Sequence, residues 1–152
     1  RRAGTENVPA IVGMGKAAEM ARENLPARIE HNIKLRDKII REVSGIAKVQ
    51  LTGHPENRLP GHASFVVEYI EGEAMLLLLA ANGIYAASGS ACTSKALKAS
   101  PVLTSIGIPS HMAHGSVVFT IGQEITEDDV DYFTDKFKTI IKRLREMSPI
   151  AQ

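Results

Sequence analysis

Cysteine is almost missing from this sequence: Cys92 is the single one. No disulfide can close within the chain, and a reducing, cytoplasmic setting is expected. Long hydrophobic runs are missing too. The longest, Ala-Met-Leu-Leu-Leu-Leu-Ala-Ala at residues 74–81, falls far short of the ~20 apolar residues that a membrane-spanning helix needs. No secretory leader is read at the start. An excess of charge is also lacking, since 18 basic residues face 17 acidic ones and leave a formal +1. Basic residues are scattered along the chain, so no strong field exists to hold nucleic acid or an anionic membrane. Internal repeats, low-complexity tracts and long linkers are absent.

What remains is ordinary. Of 152 residues, 44% are hydrophobic and 23% charged, which suits one globular domain with a real core. The chain opens Arg-Arg-Ala-Gly-Thr-Glu-Asn-Val-Pro-Ala with no methionine and reads as cut from the interior of something longer.

Hydrophobic spacing predicts a helix over residues 8–23 and a second over 24–45, with Pro26 in its first turn and Gly45 as its stop. The pattern then changes to a short strand closed by Gly53 and an alternating strand over 62–70. Residues 71–83 predict a helix that is apolar on most sides and therefore buried. Residues 84–94 begin as a strand and become a loop, 100–107 form a short helix with Ser100 as N-cap, and 114–122 form another strand. The clearest helix begins at Thr126, with acids in its first turn, bases in its last, and one stripe of Val130, Phe133, Phe137, Ile140, Ile141 and Leu144. The sum is a two-layer α+β domain, with helices covering a small, mostly antiparallel sheet.

Three patterns bear on chemistry. Gly13 to Ala18 spell G-x-G-x-x-A, but neither a preceding strand nor a second strand with its acid follows the dinucleotide pattern. Two glycines that let helices pack closely explain it better. His111 and His114 fall short of the three or four ligands that zinc requires, and packing roles are favoured. Cys92 differs, because it sits in Ser-Gly-Ser-Ala-Cys-Thr-Ser at residues 88–94 with Lys95 and Lys98 just beyond. Small hydroxyl residues make a pliable segment, and nearby cations favour the nucleophilic thiolate. From these residues alone, a reactive and a structural cysteine stay equally open.

The segment Gly-Ser-Ala-Cys-Thr-Ser, with Arg-Ala-Gly-Thr at residues 2–5, resembles cysteine desulfurases of the NifS/IscS type, which belong to the class-V aminotransferases. The likeness runs in order through residues 57–94, Ala-His-Gly-Ser-Val-Val-Phe-Thr-Ile-Gly at 113–122, and Arg-Leu-Arg-Glu-Met-Ser-Pro at 143–149. It implies the small C-terminal domain of a pyridoxal-phosphate enzyme. It also implies that Cys92 is the catalytic residue, taking sulfur from cofactor-bound L-cysteine as a persulfide and releasing alanine. The sulfur then passes to an acceptor, often an iron–sulfur scaffold protein. In some relatives the equivalent cysteine also contacts a nascent [2Fe–2S] cluster; no resident metal is implied. Thr5 matches the threonine that reaches the cofactor phosphate of the other subunit in a homodimer.

Two departures stand out. The cofactor-binding domain with its Schiff-base lysine has no counterpart in residues 1–152, so the resemblance implies one part of a larger enzyme that does not turn over alone. Val118 stands where many relatives carry an arginine for the substrate carboxylate, a role valine cannot fill. A docking domain without desulfurase chemistry and a selenocysteine lyase are the alternative readings.

Overall fold

The computed structural model describes residues 3–88 and 99–148. Helix α1 spans Val8–Ser44, β1 Val49–Leu51, β2 His62–Val67, α2 Gly72–Ala80, α3 Pro101–Ser105, α4 Ser110–Ala113, β3 Ser116–Thr120 and α5 Glu127–Met147. The strands form one antiparallel sheet in the order β1-β2-β3, with Val49 opposite Val67 and His62 opposite Thr120. The expected α+β class is what the structure has.

Alternation along β2 and β3 gives the sheet two faces. Ala63, Phe65, Val67, Val117, Phe119 and Ile121 point into the main core, where they meet Leu35, Ile39 and Val43 of α1 and the stripe of α5. The Phe119 ring stands edge-on to Phe133 at 4.6 Å and to Phe137 at 5.6 Å, a geometry aromatic pairs favour. The stripe read on α5 is the buried one, with Leu144 half-buried at its end.

Thr126 caps α5 as expected. Its hydroxyl accepts from the Asp129 N–H, and the Asp129 carboxylate accepts from the Thr126 N–H and hydroxyl at 2.8 and 2.7 Å. These bonds lower the Asp129 pKa from its ordinary value. A lowered folded-state pKa means the box contributes above the usual carboxyl range and fades as pH falls through the lowered value. Thr126→Ala should therefore cost about 1 kcal/mol at neutral pH. That difference should shrink in urea unfolding below about pH 4.

Four expectations change. The two predicted N-terminal helices are one, and Pro26 lies inside α1 rather than at a start. Proline removes one helical hydrogen bond, but the flanking Ala, Glu, Met and Arg residues are strong helix formers. The site is also solvent-exposed, so water can take up the freed carbonyl. Helix α2 is buried along one side only: Met75 and Leu79 are inaccessible while Leu77 is 72% exposed. Residues 84–86 form no strand; only Ala87 pairs, as a bridge to Val118. Ser100 stands at the α3 N-cap but makes no side-chain cap bond.

Candidate active site

The second face of the sheet carries His62, Ser64 and Val66 from β2 and Ser116, Val118 and Thr120 from β3. At one end, Val66 is covered by a separate small cluster of Leu103, Ile108 and Ala113, with Ala99 and Met112 packed against it. Helices α3 and α4 thus cap half of this face. At the sheet edge, the Ala87 N–H donates to Val118 O at 3.1 Å, and the Val118 N–H donates to Ala87 O at 2.7 Å.

Cys92 itself lies outside the described residues. What the structure places are the two ends of its segment. Ala87 is pinned to β3 by paired backbone bonds, and Ala99 and Ser100 return at the small cluster, where Ser100 is 2% exposed. Both anchors belong to the same side of the sheet, around Val118 and Val66. Cys92 is the fifth residue after Ala87, so covalent geometry keeps its Cα within about 17 Å of that of Ala87.

The rest of this face is more polar. The Thr52 hydroxyl donates to Ser64 Oγ at 2.7 Å, and both residues are buried. Arg58 ties the loop between β1 and β2 to its neighbours. Its Nε donates to His54 O at 2.8 Å, Nη2 to Thr52 O at 2.7 Å and Nη1 to His62 O at 3.5 Å. Burial, followed by the nearby Arg36, lowers the Arg58 pKa from its ordinary value. Arg36 is itself buried, bonded to Asp37 and to the carbonyls of Arg58 and Leu59. Both guanidinium groups are thus engaged by carbonyls or a carboxylate.

Thr5 is exposed, three residues before α1 and just after Gly4, which has a φ of +88°. The Asn7 side chain caps the helix by accepting from the Ala10 N–H at 3.2 Å. Thr5 and the Cys92 anchors are not brought together. Only the last third of α1 meets the sheet, so roughly 40 Å of helix separates Val8 from Leu35. Gly13 and Gly15 fall within this projecting stretch, and no described atom comes within 4 Å of a methyl added at either. The close helix packing expected of them is therefore not found within the described residues. His111 lies on α4 and His114 caps it. The described residues hold no group of three His, Cys, Asp or Glu side chains suited to a metal.

His62 and Thr120 face each other across β2 and β3, a juxtaposition that did not stand out in the sequence. The signal was faint: alternate polar residues in an otherwise apolar strand. Their pairing required the register of two strands far apart in the chain.

A small antiparallel sheet under long helices, with a cysteine segment pinned at its edge, defines a recognisable class of domain. Residues 1–133 match the family model for the class-V aminotransferases, and the chain belongs to that family. It is 47% identical over 151 residues to the cysteine desulfurase IscS of Methanosarcina thermophila, covering 99% of this chain and 37% of that protein. It is 46% identical over 153 residues to the cysteine desulfurase IscS of Dictyoglomus turgidum, covering 100% of this chain and 39% of that one. The chain thus spans less than two-fifths of the length of these curated relatives. Among solved structures, a NifS-like protein matches 93% of this chain and 35% of its own, with TM-score 0.80 and 30% identity. A NifS-like protein from Rickettsia africae covers 93% of this chain and 36% of its own, with TM-score 0.79 and 25% identity. The resemblance to cysteine desulfurases and the α+β fold it implied both hold.

Proposed function

We propose that the chain is the sulfur-carrying C-terminal part of a cysteine desulfurase, with Cys92 as its nucleophile. The observation that carries this is the anchoring of the Cys92 segment: Ala87 on β3 and Ser100 at the small cluster hold both ends on one side of the sheet. A pinned base and a short leash let one thiol meet a substrate and then an acceptor. The relatives named cysteine desulfurase support the substrate class.

In this reading the Cys92 thiolate forms a sulfur–sulfur bond with the sulfur of L-cysteine. The substrate's carbon–sulfur bond breaks, and its electron pair stays with carbon. That carbon becomes the methyl group of alanine, and a persulfide remains on Cys92. Lys95 and Lys98, close in sequence, favour the thiolate. Pyridoxal phosphate, when bound, supplies the electron sink that weakens the carbon–sulfur bond.

The residues present fit that cofactor through its phosphate. Thr5 carries a hydroxyl beside the start of α1, the end at which the helix dipole favours an anion. Lys16, Lys34, Lys38 and Lys138 are occupied in ion pairs with Glu19, Glu127, Asp131 and Glu42. The chain spans less than two-fifths of its desulfurase relatives, and in this reading the lysine that carries the cofactor belongs to the remainder. The projecting first two-thirds of α1 exposes Val8, Ile11, Val12, Met14, Met20 and Leu25. This suits an arm that carries Thr5 to another subunit of a homodimer and packs against the larger domain. An iron–sulfur scaffold, with its nascent cluster as cargo, is the proposed acceptor, in the cytoplasm.

Val118 favours a second reading, a docking domain without chemistry. One experiment separates the two. The full-length protein is given pyridoxal phosphate and L-cysteine, then alkylated, and the Cys92 peptide is weighed. One added sulfur supports the desulfurase. Bound cofactor with an unmodified Cys92 peptide overturns it in favour of docking.

A further inference from the structure

We infer that His62, with Thr120 directly opposite, binds the carboxylate of the amino-acid substrate; this rests on the desulfurase reading above. Any amino acid brought to this domain presents a carboxylate that must be matched by donors once water is excluded. Val118 offers none. The nearby guanidinium groups are already spent, Arg58 on three backbone carbonyls and Arg36 on Asp37 and two carbonyls.

His62 and Thr120 remain. They are register partners on β2 and β3. The Ile121 N–H donates to Gly61 O at 2.9 Å, which puts the hydrogen-bonded rungs at 61/121 and 63/119. The pair 62/120 is therefore of the non-hydrogen-bonded kind, in which facing side chains come closest, with Cβ atoms about 5 Å apart. His62 is half-buried and Thr120 exposed. Among the described residues neither side chain makes a hydrogen bond; His62 is engaged through its backbone alone, its N–H donating to Leu59 O and its carbonyl accepting from Arg58. One imidazole N–H and one hydroxyl, side by side, match the two oxygens of a carboxylate.

The place also fits. His62 is the diagonal neighbour of Val118, whose backbone pins Ala87 and the start of the Cys92 leash. A substrate held here by its carboxylate stands on the side of the sheet from which the thiol is tethered. His62 thereby takes on the duty that Val118 cannot perform, from the adjacent strand.

The test uses the full-length holoenzyme with L-cysteine and with L-cysteine methyl ester, which lacks the negative carboxylate. Persulfide on Cys92 of the wild type is checked first. The wild type should prefer the acid over the ester by at least about tenfold in kcat/KM. His62→Ala should raise KM for L-cysteine about tenfold, leave kcat within about threefold, and bring the acid-to-ester ratio close to one. Adding Val118→Arg to His62→Ala should restore the ratio, since a guanidinium then faces the same spot. His62→Gln, which keeps one N–H and similar bulk, should retain part of the preference and serves if the alanine variant does not fold. Persulfide on the wild type with an unchanged ratio in both His62 variants overturns the carboxylate assignment alone. Absence of persulfide on the wild type overturns the desulfurase reading and this assignment with it.

Discussion

Serine in place of Cys92 should abolish protein-bound sulfur in the full-length enzyme and reduce alanine release from L-cysteine by at least about a hundredfold. The substitution exchanges one sulfur for an oxygen and changes little volume, so the fold should not notice it. A serine hydroxyl has a pKa far above that of a thiol and cannot form the sulfur–sulfur bond through which the substrate sulfur leaves. Within residues 1–152 no other thiol can substitute, because Cys92 is their only cysteine. Cofactor binding should be unaffected, since in this reading Cys92 acts on the substrate sulfur while the cofactor phosphate is met by Thr5. The measurement pairs alanine release with the cofactor's absorbance in the same sample. Alanine release at the wild-type rate with the serine variant would remove Cys92 from the chemistry. Simultaneous loss of cofactor absorbance would instead assign Cys92 a structural role.

What could be read from the residues, and what could not, follows from the range of the interactions. Helix α5 was legible because its information is local: Thr126 and Asp129 are three residues apart, and the Val130-to-Leu144 stripe repeats at helical spacing. The strands were legible for the same reason, as alternation along one segment. Pro26 misled because a proline signals a boundary only when its neighbours do not insist on helix. Helix α2 misled because four consecutive leucines suggest burial all round, while its covering elements, α5 and β3, reach one side only. The site was legible in part. Cys92 announced itself through its small, hydroxyl-rich surroundings, but where its segment is pinned depended on the Ala87–Val118 bridge, a contact between residues 31 positions apart. The pairing of His62 with Thr120 is longer in range still. No local pattern encodes it; it emerges only when β2 and β3 settle into register on the shared core of Phe65, Val117 and Phe119.

That register has its tightest point at Gly115. A methyl group built there would sit 2.1 Å from Val67 O and 2.8 Å from Ile70 O. Both obstacles are backbone carbonyls, so no side chain can swing aside to relieve the contact. The Val67 N–H also donates to Gly115 O at 2.9 Å, so relief must come by prising apart the last rung of β2 and β3. The same joint seats α2, since the neighbouring Gly72 N–H donates to His114 O at 2.9 Å and a methyl at Gly72 would also meet His114 O at 2.9 Å. Gly115→Ala should therefore destabilise the fold by about 3 kcal/mol or more, at the upper end of what overpacking costs, because strand pairing and helix seating fail together. Gly122→Ala is the matched control: it follows β3, nothing lies within 4 Å of its added methyl, and its cost should stay within about 0.5 kcal/mol. Urea unfolding of the full-length protein and the two variants decides the matter. Equal midpoints for the two alanine variants would mean that the β2–β3 joint yields easily. In that event Val118, Ala87 and the base of the Cys92 leash would not be rigidly placed, and sulfur transfer would have to rely on contacts made by the acceptor.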